Sequence, residues 1–189
     1  MLINFSTTMR YVDDILSVDN ASFKQFLYIE NTFDGLKGIY PRTAVTLQLV
    51  DNASTLNYMD IQILRDHSQN IDHFLHNKLY TRSYDKRDGE KYRKLNITKY
   101  PSSRSLIAHK VSYNIILSQC HRFVILDTYR VDFIRDAVRL FWDLSRNGFD
   151  NNKLCQRFKH FLLSYRTRLI YGSKPISLFR EFMCNLWDK

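Results

Sequence analysis

The stretch Met9-Arg10-Tyr11-Val12-Asp13-Asp14-Ile15-Leu16-Ser17-Val18 is apolar on both sides of an Asp-Asp step. Short apolar runs joined by turn-forming residues read as a tight β-hairpin. Aspartate favours turns because its side chain bonds to nearby backbone, whereas Tyr, Val and Ile suit a pleated surface. Outward from this hairpin, Asn20 can cap a helix through about Phe33, with Phe23, Phe26, Leu27 and Glu30 at helical spacing. Gly35 and Gly38 are placed to end it. Val45-Thr46-Leu47-Gln48-Leu49 alternates as a strand does, and so does Tyr58 to Leu64. Asp66 to Asn70 is polar and turn-like, and Ile71 to Tyr80 returns as a strand. The last two strands are expected to pair as a hairpin.

The period changes behind residue 81. Residues 82–103 form a basic, Tyr-containing connection closed by Pro101 and its flanking serines. One helix is expected from about Ser105 to Val124. A second starts near a Thr128 cap and stops at Asn147-Gly148, a third runs from Asp150 to Gly172, and a fourth starts at Pro175. The fold class expected is therefore α+β. Residues 1–81 form a small antiparallel sheet with one or two helices, and residues 82–189 form the basic connection and a helical lobe.

Composition supports a packed core. Of 189 residues 44% are hydrophobic, with thirteen Phe, twelve Tyr and two Trp; five Gly and three Pro are too few for a linker-rich chain. The net charge of +9 is unevenly placed. Residues 1–81 hold six Lys/Arg and nine Asp/Glu, a net of −3, whereas residues 82–189 hold twenty-two and ten, a net of +12. A region this basic attracts polyanions, of which phosphate backbones are the usual case, although a solvated cationic surface gives the same count. Cys120, Cys155 and Cys184 are far apart, lack zinc-ligand spacing and are odd in number. A reducing, intracellular compartment fits them. His73 and His76 would face opposite sides of the strand expected there, which disfavours a shared metal. No apolar run reaches the length of a membrane span. Met1 to Arg10 has the pattern of neither a secretory signal nor an Arg-rich presequence.

Two adjacent aspartates on a rigid hairpin can also serve chemistry. Nucleotidyl transfer uses two divalent cations about 3.5–4 Å apart, and Mg²⁺ prefers carboxylate oxygens. An Asp-Asp pair alone is an ordinary turn. The whole string Arg10-Tyr11-Val12-Asp13-Asp14-Ile15-Leu16, however, resembles the Tyr-x-Asp-Asp box of reverse transcriptases. The motifs that follow resemble, in order, those of Penelope-like elements and related retroelements of aquatic animals and large DNA viruses. They are Ile39-Tyr40-Pro41, Tyr58-Met59-Asp60-Ile61, Leu79-Tyr80, Tyr84-Asp85-Lys86-Arg87-Asp88, Tyr100-Pro101, Ser118-Gln119 with Arg122, and Asn147-Gly148-Phe149. The likeness spans about residues 9–172.

That resemblance implies a C-terminal palm portion over residues 1–81 and a thumb-like lobe over 82–189, gripping RNA or an RNA–DNA duplex. It implies Asp13 as a Mg²⁺ ligand, Asp14 as its catalytic neighbour, and Lys86, Arg87 and Arg122 as nucleic-acid contacts. The family's fingers and first catalytic aspartate precede the box, whereas ten residues precede Tyr11 here. Asp60 and Asp72 come in the wrong order to replace that aspartate. The isolated chain is therefore expected not to polymerise. Three origins stay open: a split gene, a decayed element, or a fragment recruited as an RNA-binding structural subunit of a ribonucleoprotein such as a ribosome. Splitting and recruitment both imply a protein partner over the palm face, where an unpaired sheet edge would otherwise lie.

Further contacts are expected from the residues themselves. Lys86, Arg87, Lys91, Tyr92, Arg93 and Lys94 interleave cations with a ring that can stack on a base; a solvated loop is the alternative. On the second helix Asp132 with Arg135, Asp136 with Arg139, and Asp143 with Arg146 stand at i, i+3 and account for those arginines locally. Val131, Ile134, Val138, Phe141 and Trp142 read as core. Arg157, Lys159, Arg166, Arg168 and Lys174 have few acidic neighbours and are phosphate candidates.

Overall fold

The computed structural model describes residues 8–11, 14–17, 28, 30, 32–33, 36–38, 40–41, 43, 55–65, 79–90, 92–95, 97–164 and 171–187. The chain divides into two compact units, residues 1–53 and 54–189.

In the first unit β1 (Thr8–Tyr11) and β2 (Asp14–Ser17) pair antiparallel, with Tyr11 opposite Asp14. The hairpin expected from the apolar flanks is present. A second small ladder joins β3 (Thr32–Phe33) to β4 (Leu36–Lys37), with Phe33 opposite Leu36. This corrects the helix expected through Phe33. Thr and Phe favour a strand, and here a strand partner lies four residues on. Asn20 to Leu27 and the strand expected at Val45–Leu49 lie outside the described residues.

The second unit begins with a three-stranded antiparallel sheet of order β5-β6-β7. Its strands are β5 (Thr55–Tyr58), β6 (Ile61–Arg65) and β7 (Leu79–Ser83). The single strand expected over Tyr58–Leu64 is instead broken at Met59-Asp60. Met59 takes φ +54°, and Tyr58 pairs with Ile61 across the turn. Alternation of side chains cannot reveal a two-residue turn when the strands on both sides carry the same pattern. β6 pairs with β7, Ile61 opposite Ser83 and Arg65 opposite Leu79; of the strand expected over Ile71–Tyr80 only Leu79 and Tyr80 fall in β7, and residues 71–78 lie outside the described residues.

Among the described residues five α-helical segments follow. They are α1 (His109–Ser112), α2 (Ile115–Leu126), α3 (Arg130–Arg146), α4 (Asn151–Ser164) and α5 (Pro175–Trp187). The single helix expected from about Ser105 to Val124 starts instead at His109 and is broken at Tyr113-Asn114 into α1 and α2; three other ends follow the punctuation of the sequence. Asp150 Oδ1 accepts the Lys153 N–H at 2.8 Å, a capping bond that opens α4. Gly148 ends α3 with φ +84°, a conformation that costs glycine little. Pro175 opens α5, where a missing N–H costs nothing. Thr128 does not cap α3. Its N–H donates to the Thr81 carbonyl (2.8 Å), and its Oγ1 accepts the Thr81 N–H (2.9 Å). Thr81 Oγ1 donates to the Leu126 carbonyl at 2.7 Å. These bonds weld β7 to the α2–α3 corner. Sheet and helices therefore belong to one unit, which starts well ahead of the boundary expected at residue 82.

The core lies among the helices. Phe133, Leu144, Leu154, Phe161, Leu178 and Phe182 are almost wholly buried. Phe158 stands 4.3 Å from Phe182 and 6.3 Å from Phe133, ring centre to ring centre. Each such side chain contributes about 1.5–3 kcal/mol on burial. Of the expected core residues of α3, Ile134, Val138 and Phe141 are buried, and Trp142 is half-buried against them. Val131, in the first turn of α3, is 68% exposed rather than core. Among the described residues no helix is long and apolar enough to cross a membrane.

Candidate functional site

Beyond β7 the chain enters a 3-10 turn, Lys86–Asp88, laid against α3. Asp85 opens this turn by accepting the Arg87 N–H at 3.0 Å. The same carboxylate takes the Arg87 guanidinium at 2.7 Å, and that guanidinium reaches Asp143 on α3 at 2.5 Å. Lys99 approaches Asp85 at 3.2 Å, and Arg139 joins Asp88 at 2.7 Å and Asp85 at 3.8 Å. Further along α3, Arg135 holds Asp132 at 2.8 Å and Asp136 at 2.9 Å, while Arg82 of β7 lies 3.9 Å from Asp132. Ser83 donates its N–H to Asp127 Oδ1 at 2.6 Å. These side chains partly surround a cavity of about 300 Å³, whose apolar wall is Phe123, Tyr100 and Leu140.

Charge in this network is matched by geometry rather than by chain position. Burial alone would raise the Asp85 carboxyl; the Arg87 hydrogen bonds and the charges of Lys99 and Arg139 outweigh it and hold it well below the usual carboxylate range. Arg87 is correspondingly held more firmly protonated by Asp85 and Asp143. Burial pushes the Tyr100 hydroxyl up, with Asp143 and Asp85 acting in the same sense. It also pushes Asp127 up to about 7, against its bond from Ser83, with Asp136 and Asp132 adding repulsion. Asp136 is raised for the same first reason. Of the three pairs expected along α3, the structure makes Asp132–Arg135. It directs Arg139 to Asp88 and Asp143 to Arg87, because the turn at 85–88 brings opposite charges closer than the next helical turn does.

The expected nucleic-acid contacts separate into groups. Arg87 is half-buried and held by two carboxylates. Arg122 pairs with Asp60, at the tip of the β5–β6 hairpin, at 2.6 Å. Both bind this fold together. Lys86, Arg93 and Lys94 are exposed, and Tyr92 is half-buried. Arg157 and Lys159 are two residues apart on α4, about 200° round the helix axis, so they do not share a face. Lys159 lies over the Phe179 ring at 6.0 Å, whereas Arg157 sits one turn beyond the exposed Lys153. Lys174 is exposed, and its carbonyl accepts the Leu178 N–H. Lys91, Arg166, Arg168, Asp13, Asp72, His73 and His76 lie outside the described residues, as does the side chain of Asp14. Carboxylates at Asp13 and Asp14 are suitable donors for Mg²⁺, and Asp14 starts β2 opposite Tyr11.

Sequence reading missed Asp85, Lys99, Arg139 and Asp143 as one cluster. The signal available was the density of alternating charge in Tyr84-Asp85-Lys86-Arg87-Asp88. Nothing in that string names its partner on α3, 56 residues away. Comparison with models of protein families, with curated proteins and with solved structures finds no match.

Proposed function

We propose that this chain binds the backbone of a nucleic acid, RNA or an RNA–DNA duplex, as a palm-and-thumb-like fragment that does not polymerise alone. The observation that carries this reading is where the acidic residues of 82–189 lie. Asp85, Asp88, Asp127, Asp132, Asp136 and Asp143 are gathered in or beside the network, with Arg82, Arg87, Lys99, Arg135 and Arg139. Outside it the same segment has seventeen Lys/Arg against four Asp/Glu. Lys86, Arg93, Lys94, Arg104, Arg146, Lys153, Lys174 and Arg180 are exposed. Setting the paired network aside leaves a net of +13, so the positive excess of the segment rests on cations that the network does not hold. Such a surface attracts phosphate by counterion release. The hairpin pairing Tyr11 with Asp14 supports the reverse-transcriptase likeness, with Mg²⁺ as the cation its carboxylates would take.

The test is a salt titration of binding to a labelled RNA and a matching RNA–DNA duplex. Affinity is expected to fall by orders of magnitude between about 50 and 200 mM salt for a contact of six or more phosphates. Absent binding, or binding insensitive to salt, overturns the reading.

A further inference from the structure

The corner that holds β7 on the helices contains a carboxylate without a full set of partners. Asp127 ends α2 and is 3% exposed. Its Oδ1 accepts the Ser83 N–H at 2.6 Å; its Oδ2 is buried and, among the described residues, has no hydrogen-bond partner. From α3 it meets the charges of Asp132, Asp136 and Arg135. From β7 it meets the Ser83 backbone, with Arg82 directed to Asp132 at 3.9 Å. From the segment after α4, Tyr171 donates its hydroxyl to the Asp127 carbonyl at 2.7 Å, satisfying the backbone but not the carboxylate. Arg135 is engaged by Asp132 and Asp136. A buried carboxylate with an orphaned oxygen beside two buried acids is destabilised as an anion.

We propose that Asp127 is a proton-operated clasp: protonated, it holds β7 against the α2–α3 corner, and ionised, it loosens that seam. The neutral acid keeps Oδ1 as acceptor for Ser83 and removes one negative charge from the trio. The anion leaves three carboxylates around one close guanidinium. The Thr81–Thr128 bonds lie two residues along the same strand, so the seam opens as a unit. The upward displacement of this carboxyl agrees with the geometry. The sign follows from linkage. A carboxyl that binds its proton more tightly in the closed form favours closure at low pH, and this is lost as pH rises from about 4 through neutrality.

The experiment is amide hydrogen exchange of the whole chain at pH 5 and pH 8, corrected for intrinsic exchange. Protection of Ser83, Thr81 and Thr128 is expected to fall roughly tenfold or more towards pH 8. In Asp127→Asn, whose amide oxygen still accepts from Ser83, the fall is expected to be much smaller; what remains reports Asp136, which also has an orphaned oxygen. Equal pH dependence in both proteins overturns the proposal. Carbon-13 titration of the wild-type Asp127 carboxyl gives a reading without any substitution. A midpoint near neutrality supports the clasp, and one in the ordinary range near 4 overturns it.

Discussion

Replacing Arg87 with Met separates architecture from ligand contact. The guanidinium lies 2.7 Å from Asp85 and 2.5 Å from Asp143, and the three side chains are 19%, 14% and 15% exposed. Removing one partner of a fully buried pair costs about 3–5 kcal/mol, because an uncompensated charge remains; an exposed pair is worth about 0–1. This pair lies between those limits. Asp85 keeps Lys99 at 3.2 Å and Arg139 at 3.8 Å, whereas Asp143 loses the ion pair that held it. A cost of about 2 kcal/mol follows, or about 4–8 °C in Tm for a chain of this size. Adding Asp143→Asn removes the stranded charge and is expected to recover about half of the loss, a coupling that a double-mutant cycle measures. Thermal unfolding of the four proteins is the assay, with RNA affinity measured well below the transition. That affinity is expected to stay within about twofold of wild type, since the group removed faces carboxylates rather than ligand. The reasoning is refuted if R87M melts within a degree of wild type, or if it loses RNA affinity without loss of stability.

The converse pair, Lys86→Ala with Lys94→Ala, is expected to leave Tm unchanged and to reduce the log–log salt slope of RNA binding by about 1–2; an unaltered slope removes both from the interface. Gly148→Ala is expected to destabilise by about 1–2 kcal/mol in denaturant titration. Its φ is +84°, and an added Cβ would stand 2.9 Å from Ser103 Oγ. A variant as stable as wild type would show that this turn relaxes freely. Stability should also fall at low pH. Asp85 has a depressed folded-state pKa, so its contribution is present above about pH 4 and lost below that. Acid titration of R87M should show a shallower loss over that window, and an identical curve would dissociate Asp85 from Arg87.

Three helix ends were legible because they are local chemistry. Asp150, Gly148 and Pro175 stop or start helices through their own hydrogen bonds and torsions, and no distant partner is needed. The α+β order of a small antiparallel sheet followed by helices was legible from the change of period near residue 81. Four features were not. Thr128 carries the features of a cap, but Thr81 takes it. Asp143 stands three residues from Arg146, but Arg87 is nearer in space. Met59-Asp60 continues an alternating pattern, but the chain turns there. Thr32 and Phe33 suit either a helix end or a strand, and pairing with Leu36–Lys37 settles it.

The basic excess of residues 82–189 is a property of the sequence alone, since it is a count. Which cations remain free to meet a ligand is a property of the fold. A charge is neutralised by whatever lies within a few ångströms, and the 3-10 turn at Lys86–Asp88 brings Asp143 to Arg87 across 56 residues of chain. Asp143 of α3 therefore holds a seam that its helical spacing does not predict, and the carboxylate of Asp127 is buried where β7 meets the α2–α3 corner.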